Sequence, residues 1–211
     1  MKKLIIAVIF SLFVATNSWA TYTGSITGGD GLFGTDGWST AVLGWKVSSD
    51  SDMWTYNYTF TVPKKAISHM IFEVSDTFTA DNILDGTTDG YELNTYSSSN
   101  GNPGMPGSVF GLKWDLGGNP LSQSITIVSD RAPMWGDFYA KDGNDSGDWV
   151  LAYNTEFGND TFAPLDDGNV GGWVMVPDTQ SSPPVPEPTT MVLLGAGLIG
   201  LAGASRKKRG K

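Results

Sequence analysis

Ten residues, Met53 to Val62, restrict the fold more than any other stretch of this chain. Trp54, Tyr56, Tyr58, Phe60 and Val62 alternate with Thr55, Asn57, Thr59 and Thr61. A strand with one face buried and one in water needs this period of two. Ala41–Val47 precedes it across a Ser48–Asp52 turn, so the two read as a hairpin. Further strand candidates are Ile67–Val74, Val109–Leu116, Ser124–Val128, Trp135–Ala140, Trp149–Asn154 and Gly172–Val176. Short strands at regular spacing, with turn formers between them, predict an all-β domain over residues 21–178. The expected form is an antiparallel β-sandwich of jelly-roll type, with a barrel as the alternative. Ser97–Gly107 reads as a long surface loop.

The two ends of the chain are of a different kind. Lys2 and Lys3 precede an apolar run from Leu4 to Ala15, and Ser18-Trp19-Ala20 puts small residues at −3 and −1 of a cleavage site. Residues 1–20 therefore read as a signal peptide, handled by the Sec translocon and signal peptidase, with the mature chain starting at Thr21. Residues 179–188 form a linker whose prolines hold an extended backbone. It ends in Val185, Pro186, Glu187 and Pro188. Residues 189–205 read as a transmembrane helix. The uncharged run from Thr189 to Ala204 gives roughly 24 Å of helix, short of the ~30 Å hydrocarbon core. Bilayer thinning and snorkelling basic residues make up the difference. Arg206, Lys207, Lys208 and Arg209 lie in a basic tail, 206–211, that stops the span and stays cytoplasmic.

A proline motif, an apolar span and a basic cluster in this order resemble the PEP-CTERM proteins, substrates of exosortase in Gram-negative bacteria. The resemblance rests on Val185-Pro186-Glu187-Pro188, the apolar segment and the terminal Arg/Lys cluster, about the last 27 residues. It implies that a membrane-embedded exosortase recognises the motif and cuts near it. The released protein then reaches the cell surface or the exopolysaccharide matrix. An ordinary single-pass anchor with a proline-rich stalk, facing the periplasm, is the alternative.

The charge balance excludes some functions. With the two ends set aside, six cationic residues face 21 acidic ones, a formal −15 against −9 for the whole chain. No basic patch stands out, which argues against nucleic-acid binding. An acidic domain meets acidic polysaccharide only through bridging cations. The chain has no cysteine, and so no disulfide framework, thiol nucleophile or lipoprotein acylation site.

Candidate chemistry is sparse. His69 is the sole histidine and sits beside Met70, Ile71 and Phe72, where a structural role is expected over a triad or a multi-histidine zinc site. Asp142, Asn144, Ser146 and Asp148 fall at positions 1, 3, 5 and 7 of a calcium loop, with Gly147 at position 6. Tyr153 stands where a bidentate Glu belongs, so a hairpin turn is preferred and calcium is the alternative. Asp85–Gly90 is a weaker version. Of the seven tryptophans after residue 20, Trp45, Trp54 and Trp114 lie in strands and are expected in the core. Trp38, in a glycine-rich stretch, and Trp135 are expected to be the more exposed, as platforms for stacking on sugar rings.

Two readings follow. The first is a non-enzymatic surface or matrix protein whose β domain binds polysaccharide. The second is a secreted carbohydrate-active enzyme working through Asp or Glu. With so many carboxylates, pairs are found everywhere, and the first reading is preferred.

Overall fold

The computed structural model describes residues 20–35, 37–50, 53–99, 101–143, 149–159, 164–165 and 171–177, all within the unit Trp19–Pro183. The expected signal peptide apart from Ala20, the linker, the transmembrane helix and the basic tail lie outside the described residues. Among the described residues, no helix is long and apolar enough to cross a membrane.

The domain is all-β. In chain order the strands are β1 (Thr21–Gly28), β2 (Gly31–Gly34), β3 (Val42–Asp50), β4 (Met53–Thr61), β5 (Ile67–Glu73) and β6 (Tyr91–Tyr96). Then come β7 (Val109–Asp115), β8 (Ser122–Ser129), β9 (Pro133–Gly136), β10 (Phe138–Asp142), β11 (Leu151–Asn154) and β12 (Val174–Pro177). Ten of them form a single ladder in the order β6-β7-β5-β10-β11-β2-β1-β3-β4-β8, while β9 and β12 pair apart. The spacing suggests a jelly-roll sandwich of two sheets. The ladder is instead one sheet curled into a half-barrel, whose two halves face each other over the core. Pairing is antiparallel except for a short parallel contact of β1 with β2.

The curl is driven by the inward face of the alternating strand. Tyr56, Tyr58 and Phe60 are fully buried. Tyr58 of β4 stacks on Phe72 of β5 with centroids 4.0 Å apart, although the two strands lie near opposite ends of the ladder. Phe60 meets Phe138 of β10 edge-on at 5.1 Å, and Phe138 meets Phe72 at the same distance. These cross-sheet aromatic pairs exist only if the sheet folds back on itself. The β9–β12 pair packs against β3 and β5, and Val174, Met175 and Val176 are fully buried. An uninterrupted apolar strand of this kind requires cover on both faces. The Tyr58 hydroxyl donates to the Met175 carbonyl (2.6 Å) and so fixes β12 to β4.

The free edge of β8 is capped by residues 84–88, which overlap the weaker calcium-loop match at Asp85–Gly90. Leu84 N–H donates to the Val128 carbonyl, and Thr88 N–H donates to the Thr126 carbonyl. The hydroxyls of Thr87 and Thr88 accept from Val128 N–H and Thr126 N–H. The Thr88 carbonyl accepts the Trp114 indole N–H of β7 (3.0 Å), so one residue ties the β8 edge to β7. Capping removes a template for edge-to-edge pairing.

The sequence expects no strand at β1, β2 or β6, and three expected segments differ from those observed. The hairpin runs in register from Val42–Thr61 to Asp50–Met53, so Ser48 and Asp50 belong to the ladder and not to the turn. Trp135–Ala140 is two strands in two sheets, parted at Asp137. The run Ser97–Gly107 is not a free surface loop, for Asn102 and Met105 are buried and Met105 packs with Ile71, Tyr96 and Val109.

Tyr58→Phe should lower the unfolding free energy by about 1–2 kcal/mol, because it strands a buried carbonyl. Urea denaturation measures this, and an unchanged midpoint would show that the bond contributes nothing. Gly28→Ala should be far more damaging, since its Cβ would collide with the Ser39 backbone carbonyl.

Candidate functional site

The two tryptophans expected at the surface are in the core. Trp38 is 0 % exposed, and its indole N–H donates to the carbonyls of Lys64 and Lys65, each at 2.9 Å. Lys65 adopts a left-handed backbone (φ 58°) at that turn. The Trp38 ring meets Phe60 edge-on at 5.4 Å. Trp135 is 2 % exposed and sits edge-on to Trp45 at 6.5 Å. Neither presents a ring face to solvent, which corrects the expectation. Trp45 and Trp114 are buried as expected, and Trp54 is half-buried against Tyr22.

Among the described residues the exposed large rings are Phe33 and Trp149, and Phe33 has a half-buried ring partner. Phe33 of β2 and Tyr153 of β11 are directly opposed in the ladder and stack at 4.7 Å, 24° from parallel. Phe33 is 42 % exposed. Phe157 meets Tyr153 edge-on at 6.1 Å. A cross-strand ring pair on an outer sheet face offers aromatic surface to a pyranose CH face. Sequence reasoning missed it because Gly31-Leu32-Phe33-Gly34 is too short to show a period.

Asp142 is buried and turned inward. Its Oδ1 accepts the Val150 N–H (3.1 Å), its own N–H donates to the Val150 carbonyl, and its carbonyl accepts the Lys141 ammonium (2.9 Å). The two bonds with Val150 staple the neck of the β10–β11 hairpin. Asn144, Ser146 and Asp148 lie outside the described residues. Among the described residues, no group of three His, Asp or Glu side chains could hold a metal.

His69 is 5 % exposed and stacks on Tyr139 at 5.9 Å. Its pKa is lowered to about 4. Burial is the main cause, the Lys113 and Lys141 charges add to it, and Asp115 and Asn102 offset it in part. The ring is therefore neutral near pH 7. Burial also pushes the Tyr139 hydroxyl up, and that hydroxyl donates to the Pro103 carbonyl (2.8 Å). The 97–107 segment is in this way fastened over the His69–Tyr139 pair, an arrangement suited to packing.

The depressed pKa has a stability consequence with a definite sign. A buried neutral histidine contributes fully above its unfolded value near 6.5, and the contribution is lost as pH falls towards about 4. The shift corresponds to about 3 kcal/mol. Wild type should lose more stability than His69→Gln between pH 6.5 and 4, as measured by thermal melts. Parallel curves would show that His69 ionises freely in the folded state.

Comparison with known proteins bears on the tail alone. No curated protein and no solved structure matches the chain. The family model described as the PEP-CTERM protein-sorting motif matches residues 184–207, a stretch that holds Val185-Pro186-Glu187-Pro188, the apolar run, Arg206 and Lys207. The chain therefore carries a PEP-CTERM sorting motif, which implies an exported, membrane-associated precursor targeted to exosortase.

Proposed function

We propose that this is an exported cell-surface or exopolysaccharide-matrix protein of a Gram-negative bacterium, cleaved by exosortase, whose β domain binds polysaccharide and catalyses no reaction. The matched motif at residues 184–207 is the observation that carries the sorting half of this reading. Signal peptidase removes residues 1–20 after Sec export, and the 189–205 span then holds the precursor with Arg206–Arg209 inside. Exosortase cuts near Pro186–Pro188 and frees the domain. Exposed Phe33, stacked on half-buried Tyr153, supports sugar binding. A lone histidine kept neutral and covered by an ordered segment supports a non-enzymatic domain.

Intact mass and fractionation in the producing cell test the sorting. The mature chain should start at Thr21, lack everything beyond the Pro186–Pro188 region and lie outside the inner membrane. Pro186→Ala with Pro188→Ala should leave full-length chain in the inner membrane. If wild type is itself retained there at full length, the tail is a plain anchor. For the binding half, the producer's own exopolysaccharide should capture the wild-type protein, and Phe33→Ala with Tyr153→Ala should weaken capture. Absence of capture would remove the carbohydrate reading.

A further inference from the structure

The outer face of β1, β3, β4 and β8 is a second surface with its own chemistry. The inward positions on these strands are marked by buried apolar residues such as Ile26, Leu43, Tyr58 and Ile125. The alternate, outward positions therefore share one face. Register aligns them into four transverse rows of four, of which one runs Ser25, Gly44, Thr59, Ser124. Eleven of the sixteen positions are Ser or Thr, and the sole charge among them is Lys46. Neighbouring side chains hold one another in place. Thr59 and Ser124 hydroxyls lie 2.9 Å apart, Thr61 and Ser122 hydroxyls 2.8 Å apart, and Thr126 donates to Asn57 Oδ1 at 3.0 Å. In each hydroxyl pair one O–H is used and the other remains free to donate outward.

We infer that this hydroxyl face is a docking surface for an uncharged polysaccharide chain. The claim rests on the carbohydrate reading above but places binding on a different part of the outer sheet surface from Phe33 and Tyr153. Charge selects the occupant. The domain carries a formal −15, yet no carboxylate stands in the sixteen positions. A polyanion would be repelled by the domain as a whole, with Lys46 alone to offset it. A second copy placed face to face would oppose mostly hydroxyl to hydroxyl, with Val42 as the one well-exposed large apolar side chain among the sixteen, and the aromatic anchors that hold protein interfaces are missing. A neutral glycan needs what the face offers, namely groups that both donate and accept, fixed before contact. Between β4 and β8 the paired hydroxyl-bearing residues stand on strands ~4.8 Å apart, and along β1, β4 and β8 such residues recur at ~6.7 Å, while Val42, Gly44 and Lys46 of β3 interrupt the rows. The shorter step is comparable to one sugar residue in an extended chain.

The test uses the full-length protein in mild detergent, with affinity electrophoresis in hydroxyethyl cellulose, a neutral β-glucan, and in alginate, a polyanion. Wild type should be retarded by the neutral glucan and not by alginate. Thr59→Val, Thr61→Val and Thr126→Val together keep β-branched side chains and remove three hydroxyls, and should weaken retardation about tenfold. Ser122→Ala with Ser124→Ala, a milder change, should weaken it about threefold, and thermal melts establish that either variant is folded. Equal retardation in alginate overturns the inference. So does a folded triple variant that binds like wild type while Phe33→Ala with Tyr153→Ala abolishes binding, a result that leaves the carbohydrate reading standing. Wild-type protein that binds neither these polymers nor the producer's exopolysaccharide overturns both.

Discussion

The stacking of Tyr58 on Phe72 is the contact on which the architecture turns. It joins the ninth strand of the ladder to the third and so forces a ten-stranded sheet to fold over its own inner face. Around it, Phe60, Phe138, Trp38 and Trp114 extend the contact in both directions with edge-on and tilted rings. Wide, flat side chains fill the broad space between two curling sheet halves, and their buried area supplies much of the driving force. The chain has no cysteine, so packing of this kind is what holds a domain destined for export.

Closing a sheet this way creates polar obligations, and they are met locally. The chain must leave β9 and enter β10 in a different sheet, and Asp137 sits at the break. Its backbone N–H donates to Glu73 Oε2, its Oδ1 accepts the Asn154 amide, and its Oδ2 accepts Gly158 N–H. Asn154 in turn accepts the Phe138 N–H at 2.7 Å. A buried carboxylate with several donors is tolerated where an unpaired one would not be. Thr88 performs the corresponding duty at the β8 edge, by bonding to β8 and to Trp114 of β7 together.

These devices explain what could be read in advance. Met53–Val62 was legible because its inward set is aromatic and its outward set is polar at every step, and the hairpin with β3 followed from it. β1 was not, since Thr21-Tyr22-Thr23-Gly24-Ser25 buries too little to show a period. Trp135–Ala140 looked like one strand because the sheet change is marked by the single polar residue Asp137. The tryptophans failed for another reason. Glycine-rich surroundings made Trp38 look exposed, yet its indole N–H finds two carbonyls from a distant turn, and no local pattern reports that. The stacked pair Phe33–Tyr153 joins residues 120 positions apart, so only the ladder brings it together. The sorting tail, by contrast, is a linear signal and was legible as it stands.

The hydroxyl face belongs to an intermediate class, half legible. Thr55, Asn57, Thr59 and Thr61 are visible in one strand, but their neighbours come from β1, β3 and β8 and need the register. That register is fixed from the inside. A slip of one residue in β4 would send Thr59 and Thr61 into the core and Tyr58 and Phe60 into water, a loss no surface interaction could offset. The buried aromatic set therefore specifies both the fold and the order of hydroxyls on the far side of the same strands. Outward residues can change without disturbing the core as long as they suit a strand. This freedom is what allows the outer chemistry of such a sheet to be tuned to a ligand independently of its stability.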